Sequence, residues 1–486
     1  MITIVIPLLS AAAIYLYHVN TAMKRVPEAA RQSSPRRWTV DEVKAAYDKS
    51  LKAPIDIIQS LPPKQSRRYV VVGGSGLVGG WIVSHLLARG EDPASLRVLD
   101  LLSPTAEILD QGVEYVKTNI ADELDVSAAF EKPWAESVAH LPLTVFHTAA
   151  TIRPFERQEI YIERCAKVNI GGTKNVLNAA RKAGASCFIS TSSGSVSLHK
   201  PNFWIAPWKK LPEHAMQVMS DDAKLPQHHN EFFGNYAVTK IEAERIVRAA
   251  DDPSAGFRTG CIRPANGIYG IGSEVSNTLT GLYLRNGGSP TWARPIIQSF
   301  VNAENVSIAH LLYEQRLLEQ SQPNSTLPNT GGQAFVVTDP NPAISFDDVY
   351  TLLTTLATTP IAFPAVQPVP LLLLAYAVEF YVYVQHVYLP WLLPALTGDI
   401  LQIQPSLFAI LDVFCIADDS RARRSPAEGG LGYKAPLTTL DAMCKELVDW
   451  NAKALAKKSA PVEPVNGVVK VGEDGVDVQF VAPEKI

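Results

Sequence analysis

The stretch VVGGSGLVGG, residues 71–80, sets five glycines between the β-branched run YVVV (69–72) and the apolar, helix-like WIVSHLL (81–87). Gly73, Gly76 and Gly79 form a G-x-x-G-x-x-G triplet at a strand-to-helix turn. The first glycine permits the tight turn, the second lets the backbone approach a pyrophosphate, and the third lets the helix pack closely on the strand. Backbone N–H groups and the positive end of the helix dipole then face the phosphates. Any tight strand-to-helix turn can use glycines, so the surroundings decide the reading.

Downstream, short apolar runs at 69–72, 96–99, 113–116, 144–147, 187–191 and 260–263 alternate with longer helix-like segments. Such alternation builds a parallel sheet covered on both faces. The expected fold is therefore α/β, a Rossmann-type doubly wound parallel sheet over 68–264. The second run, RVLD, ends in Asp100, where a carboxylate accepts hydrogen bonds from the adenine-ribose hydroxyls and repels a 2′-phosphate. Leu101 and Leu102 bring no arginine, so NAD is expected rather than NADP. Taken alone, Asp100 would serve equally as a strand-end cap.

The chain has 486 residues, 47% hydrophobic, with 44 Lys and Arg against 48 Asp and Glu. That length suits a large α/β body with additions, and a net charge of −4 provides no basic field for nucleic acid. Five cysteines without a C-x-x-C pair indicate neither a disulfide framework nor a metal site, and point to a reducing compartment. Residues 2–19, ITIVIPLLSAAAIYLYHV, carry no charge and precede Lys24, Arg25, Arg31, Arg36 and Arg37. This pattern reads as a membrane anchor over 1–22 with a cytoplasmic body. Residues 23–67, charged and proline-punctuated, read as a tether holding a short amphipathic helix near 40–51. Past 264 the alternation gives way to Gly/Asn/Pro-rich loops, read as a smaller C-terminal substrate-binding subdomain over 265–450. Within it, 360–396 holds Glu379 as its only formal charge. That segment reads as buried helices or as a membrane-associated surface beside a lipid entrance. Residues 451–486 read as a flexible tail.

Tyr236-Ala-Val-Thr-Lys240 places a phenol and an ammonium at i and i+4, on one helix face, after the strand-like CFISTSS (187–193). A neighbouring ammonium favours the phenolate, making Tyr236 a usable general base. The glycine triplet, VFHTAA (145–150), VNIGGTKNVLNAA (168–180), STSSGSV, the Tyr236/Lys240 pair and RPANGIYG (263–270) together resemble an extended short-chain dehydrogenase/reductase. SFVNAENVSIAHLL, GQAFVVTDPNPAISFDDVY and IADDSRARR narrow the resemblance to the 3β-hydroxysteroid dehydrogenase family, including sterol-4α-carboxylate 3-dehydrogenases, over roughly 68–440.

The resemblance implies that Tyr236 takes the alcohol proton, that Lys240 holds the nicotinamide ribose and lowers the tyrosine pKa, and that Ser193 steadies the reacting oxygen. Gly73, Gly76, Gly79, Asp100, Asn119, Ala149, Asn169, Tyr236 and Lys240 would contact the cofactor. His147, Thr191, Ser192 and Asn169 serve equally well as scaffold. Where the family often has aspartate near the adenine, this chain has Asn119, and FVNAEN (300–305) sets Asn302 and Glu304 in place of a usual histidine and aspartate. The interval 194–235 reads as a lid. His228 and His229 on it read as solvated rather than metal-bound.

The implied activity is NAD-dependent oxidation of a ring hydroxyl of a sterol or terpenoid, with decarboxylation when an adjacent carbon bears a carboxylate. The implied setting is the endoplasmic reticulum membrane, and a homodimer is compatible with it. The alternatives are a nucleotide-sugar epimerase or dehydratase, a terpenoid-tailoring dehydrogenase, and a catalytically silent NAD-binding scaffold.

Overall fold

The computed structural model describes residues 2–272 and 278–459, so the expected tail lies outside the described residues from 460 onward. Its strands are β1 (Arg68–Val72), β2 (Leu96–Asp100), β3 (Glu114–Lys117), β4 (Leu143–His147), β5 (Ala185–Thr191), β6 (Met216–Met219), β7 (Arg258–Pro264), β8 (Ile268–Tyr269), β9 (Ile297–Gln298), β10 (Val301–Asn302), β11 (Ala334–Val337), β12 (Ile344–Ser345) and β13 (Phe414–Ala417). Seven of them form one sheet in the order β11-β7-β5-β4-β1-β2-β3. Every pairing within it is parallel.

Burial on both faces explains why these strands read as continuous apolar runs. Val70, Val72, Leu99, Val145 and Phe188 face one layer of helices. Tyr69, Val71, Val98, Phe146 and Ile189 face the other. The strand order reverses at β1, which pairs with β2 on one side and β4 on the other. In doubly wound sheets that switch point opens the crevice where ligands bind.

The structure redraws two expected boundaries. The sheet does not end at 264: the helix Ala303–Gln320 packs Val306, Ala309, Tyr313 and Leu317 into the core, and β11 pairs with β7 as the edge strand. A strand of four residues behind a long loop is too short to betray itself by alternation. Residues 24–67 are not a free tether either. The helix Val40–Lys52 buries Val43 in a second core with Phe346, Val349, Met443 and Leu447. Arg37 pairs with Asp348 at 2.6 Å, and Trp38 N–H donates to the same carboxylate at 2.8 Å. A capping box between Thr39 and Glu42 starts that helix where the sequence suggested one.

The second core lies against a smaller four-stranded sheet, β12-β9-β13-β6. Because β6 lies within the interval expected as a lid, that interval is pinned by its pairing with β13.

Among the described residues, two helices are long and apolar enough to cross a membrane. The first, Ile2–Met23, leaves Ile4, Leu8, Leu9 and Ile14 exposed and buries only its far end, through Val19, Ala22 and Met23. That end docks on Val369, Leu372 and Ala375 of the second helix, Pro368–Val387, with Asn20 and Lys24 donating to Gln367 at 2.8 and 3.0 Å. The second helix buries one face and exposes Leu373, Leu374 and Phe380 on the other, so the buried and surface readings of 360–396 each describe one side of it.

Candidate active site

The glycine loop joins β1 to the helix Leu77–Ala88. Gly73 adopts φ +80°, and a Cβ there would lie 2.6 Å from the Ala149 nitrogen. A Cβ on Gly79 would lie 2.1 Å from the Gly73 carbonyl oxygen. Both glycines are therefore demanded by the protein itself. At Gly76 a Cβ would meet only the Gly73 oxygen, at 3.2 Å, which leaves its outer side open. Gly76 caps the helix without a side-chain hydrogen bond, and no acidic residue occupies the first turn. The uncapped N–H groups and the open glycine fit a pyrophosphate.

Asp100, at the end of β2, accepts the Ser75 N–H at 3.0 Å and the Leu102 N–H at 3.2 Å. Burial raises its pKa, against which those backbone donors pull. The carboxylate thus braces the glycine loop while remaining only half-buried, so the capping and ribose-binding readings are compatible. Asn119 is half-buried and its Oδ1 accepts the Ala121 N–H at 3.1 Å. Ala149 flanks the crevice across from Gly73, and its N–H reaches the Val72 oxygen at 3.2 Å. Thr148, passed over in the sequence, clasps the two strands by donating to the Val72 and Gly73 oxygens at 2.9 and 3.1 Å.

Ser193 follows β5, and Tyr236 and Lys240 lie on the helix Asn235–Ala249. The Ser193 hydroxyl bonds Ser195 Oγ at 2.7 Å and lies close enough to Tyr236 to pull its phenol down. Burial pushes the phenol up to about 12, the Ser193 contact lowers it, and Cys165 raises it. Lys240 instead donates to the Thr191 carbonyl oxygen at 2.7 Å, and burial brings it down to about 8. Lys240 is not among the groups that shift the Tyr236 phenol here, one of its ammonium hydrogens being turned to the Thr191 carbonyl. Phe232, Phe233, Val196 and Ala409 wall the phenol with hydrocarbon.

Asn169 is 2% exposed, within the π-helical turn Lys167–Gly172. Its Nδ2 donates to the Thr151 oxygen at 3.1 Å and to Thr239 Oγ1 at 3.0 Å, and its Oδ1 accepts the Thr151 N–H at 2.8 Å. With those bonds made, it ties the loop after β4 to the helix of Tyr236, a scaffold role. His147 rests on Thr173 Oγ1 at 3.0 Å, and burial followed by the Lys240 charge lowers it to about 3, so it is neutral. Thr191 holds His310 at 2.8 Å, and Ser192 donates to Glu244 at 2.6 Å. Glu244, on the Tyr236 helix itself, is forked by Arg263 of β7 at 2.6 and 2.8 Å, a buried pair that sequence spacing could not reveal.

A second charged fork joins the loop after β4 to the apolar helix Pro368–Val387. Arg157, in the loop after β4, grips Glu379 of the helix Pro368–Val387 with two bonds of 2.7 Å. That fork accounts for the single charge in the apolar stretch.

Residues 70–360 match the 3-beta hydroxysteroid dehydrogenase/isomerase family. The chain is 30% identical over 291 residues to a 3 beta-hydroxysteroid dehydrogenase/Delta 5-->4-isomerase of Mycobacterium tuberculosis, covering 58% of this chain and 67% of that one. It is 28% identical to the human decarboxylating sterol-4-alpha-carboxylate 3-dehydrogenase, covering 59% and 65%. Among solved structures, a UDP-glucose-4-epimerase of Stenotrophomonas maltophila with bound NAD superposes with a TM-score of 0.53 at 16% identity, covering 81% of this chain and 100% of that one. That likeness shows the fold.

Proposed function

Because the chain belongs to the 3-beta hydroxysteroid dehydrogenase/isomerase family, of the extended short-chain dehydrogenase/reductases, we propose that it oxidises a ring hydroxyl of a sterol or related terpenoid to the ketone with NAD. The observation that carries the reading is that Ser193, just past β5, lies close enough to Tyr236 to lower its phenol, beside the apolar side chains packed on that ring and with Lys240 one turn further along the same helix. NAD(P) supplies a hydride acceptor there. Gly73, Gly76 and the uncapped helix would hold its pyrophosphate, and Asp100 its adenine ribose, which supports NAD over NADP.

Tyr236 receives the alcohol proton, and Ser193 donates to the same oxygen. A phenol held near 12 is a weak base until a cation comes close. Lys240 is the positioned cation, and its bond to the Thr191 carbonyl leaves two further ammonium hydrogens to orient a ribose hydroxyl. Where the carbon beside the alcohol bears a carboxylate, oxidation yields a β-keto acid. Its C–C bond pair then passes into the ketone as carbon dioxide leaves, and the enol returns to ketone by protonation. The apolar walls, the exposed first helix and the half-exposed helix Pro368–Val387 support a substrate drawn from a membrane, with the body on the cytoplasmic side of the endoplasmic reticulum.

The test is to incubate the detergent-solubilised chain with NAD and hydroxysterols, 4-carboxysterols and terpenoid alcohols, following NADH and product mass. Turnover of a sterol that Tyr236→Phe abolishes is the expected result. Turnover of nucleotide sugars instead would overturn it.

A further inference from the structure

Two buried groups at the C-terminal ends of β4 and β5 are each one partner short. His147, the last residue of β4, meets Thr173 Oγ1 through its Nε2 at 3.0 Å, and that hydroxyl spends its single hydrogen on the Asn169 carbonyl oxygen at 2.7 Å. Toward the ring Thr173 can therefore only accept. Nε2 carries the imidazole hydrogen, and in a neutral ring Nδ1 is left with a lone pair. Nδ1 is buried, and among the described residues nothing donates to it.

Lys240 is the second group. It is buried, and one of its three ammonium hydrogens goes to the Thr191 carbonyl oxygen at 2.7 Å. With a second turned to a ribose hydroxyl, the third still needs an acceptor, since buried polar groups are ordinarily paired.

The fold brings the two together. His147 is the register partner of Ser190 in β5, and the carbonyl that holds Lys240 belongs to the next residue, Thr191. Paired strands lie about 4.8 Å apart. The His147 ring lies on the face of the sheet that the Lys240 helix covers: its centre is 6.0 Å from that of Phe188, which shares a core with Val247 of that helix. Hydrogen bonds close the other side, from Thr173 to Asn169 and from Asn169 Nδ2 to Thr239 Oγ1 at 3.0 Å, the residue before Lys240. The titratable groups that face Lys240 are His147, Cys261 of β7 and Glu244 of its own helix. Glu244 is taken up by Arg263, and burial keeps Cys261 a thiol, a weak acceptor.

We propose that His147 is a positioning residue for Lys240: its Nδ1 accepts the third ammonium hydrogen, directly or across one water, and so aims the hydrogen left for the ribose and favours the charged ammonium. The proposal deepens the oxidation reading and rests on its assignment of Lys240. Burial and the Lys240 charge keep the ring neutral down to about 3, so Nδ1 is an acceptor throughout the working range.

The experiment uses the full chain in neutral detergent and compares the parent with His147→Gln and His147→Asn. Glutamine keeps an N–H for Thr173 and loses the acceptor at the Nδ1 position; asparagine does the reverse. NADH affinity, followed by fluorescence from about pH 6 to about pH 9, reports the ribose contact without turnover, and kcat/KM for alcohol oxidation is measured over the same range. Losing a hydrogen bond to a cation should move the Lys240 midpoint down by about one pH unit, from about 8 to about 7. NADH binding by His147→Gln should then match the parent at about pH 6 and be roughly 5-fold weaker at about pH 8, while His147→Asn keeps the parent midpoint. A role confined to holding Thr173 predicts the opposite ranking, with asparagine the poorer at every pH, and that result overturns the proposal. So does an unmoved midpoint in His147→Gln. If a variant fails to fold, nitrogen-15 spectra of the parent imidazoles decide: an Nε2–H tautomer of His147 at neutral pH is expected, and an Nδ1–H tautomer or an imidazolium overturns the assignment. If the parent binds NADH but oxidises no alcohol, the oxidation reading fails, and the NADH profiles still decide the role of His147.

Discussion

Replacing Gly76 by alanine separates what the glycine loop does for the fold from what it does for a ligand. Gly76 has φ −79°, so alanine is unstrained there, and its methyl would meet only the Gly73 oxygen at 3.2 Å. As a helix-cap substitution it should cost the ligand-free protein no more than about 1 kcal/mol. The same methyl points toward the open side, where a pyrophosphate would rest. Overpacking of that kind costs about 1–3 kcal/mol, or roughly 5- to 150-fold in Kd. At an NADH concentration about 100 times the parent Kd, binding adds about 2.7 kcal/mol of stability, whereas a Kd weakened about 100-fold leaves about 0.4 kcal/mol. Thermal denaturation with and without NADH reads this directly: a ligand-induced rise of roughly 3 °C should shrink to about 0.5 °C. Gly79→Ala should behave oppositely. Its methyl would lie 2.1 Å from the Gly73 oxygen and 2.7 Å from Thr148 Oγ1, and the ligand-free protein should lose more than about 3 kcal/mol. If Gly76→Ala kept the full NADH-induced rise, the loop would not be the pyrophosphate cradle and the cofactor reading would fall with it.

Because burial sets Lys240 at about 8, it loses its charge just above that pH, and with it the cation proposed to orient the ribose and favour the phenolate once cofactor is bound. kcat/KM for alcohol oxidation should therefore stop rising near pH 8, and Lys240→Arg, which stays charged, should carry the rise further into alkali; identical profiles would sink this assignment. Arg157→Met would strand Glu379, whose side chain is 9% exposed, and should cost about 3 kcal/mol, at the lower end of the range for broken buried pairs, since Arg157 is itself 21% exposed; urea denaturation measures it. Asp339 accepts bonds from Tyr269, Asn302, Asn305 and Thr439, and burial raises it to about 6. A carboxyl raised above its unfolded value adds stability that is complete below about pH 4 and is lost as pH climbs through about 6. Asp339→Asn should flatten the pH dependence of Tm across that window, and an unchanged slope would mean that other groups dominate it.

The sheet was legible because its strands are buried on both faces, which forces runs such as YVVV, and because a close strand-to-helix turn leaves a glycine signature that local chemistry demands. Ser193, Tyr236 and Lys240 stood out as candidates for a similar reason: the resemblance that names them rests on residue type at a set spacing after a strand. The seventh strand was not, since four residues after a long loop acquire strand character only from pairing with β7. Nor was the packing of residues 24–67, whose polar, proline-marked sequence hides the few apolar contacts that fix it.

What the amino-acid sequence determined by itself is therefore the doubly wound core and the glycine turn, set by strands buried on both faces and by the close approach of strand and helix. Only the tertiary structure decided that Asn169 bonds Thr151 and Thr239, that Lys240 is held by Thr191, that Glu244 is forked by Arg263, and that Arg157 grips Glu379. Those are electrostatic and hydrogen-bonding relations across up to some two hundred positions of chain, and charge balance at such a range exists only once the chain has folded.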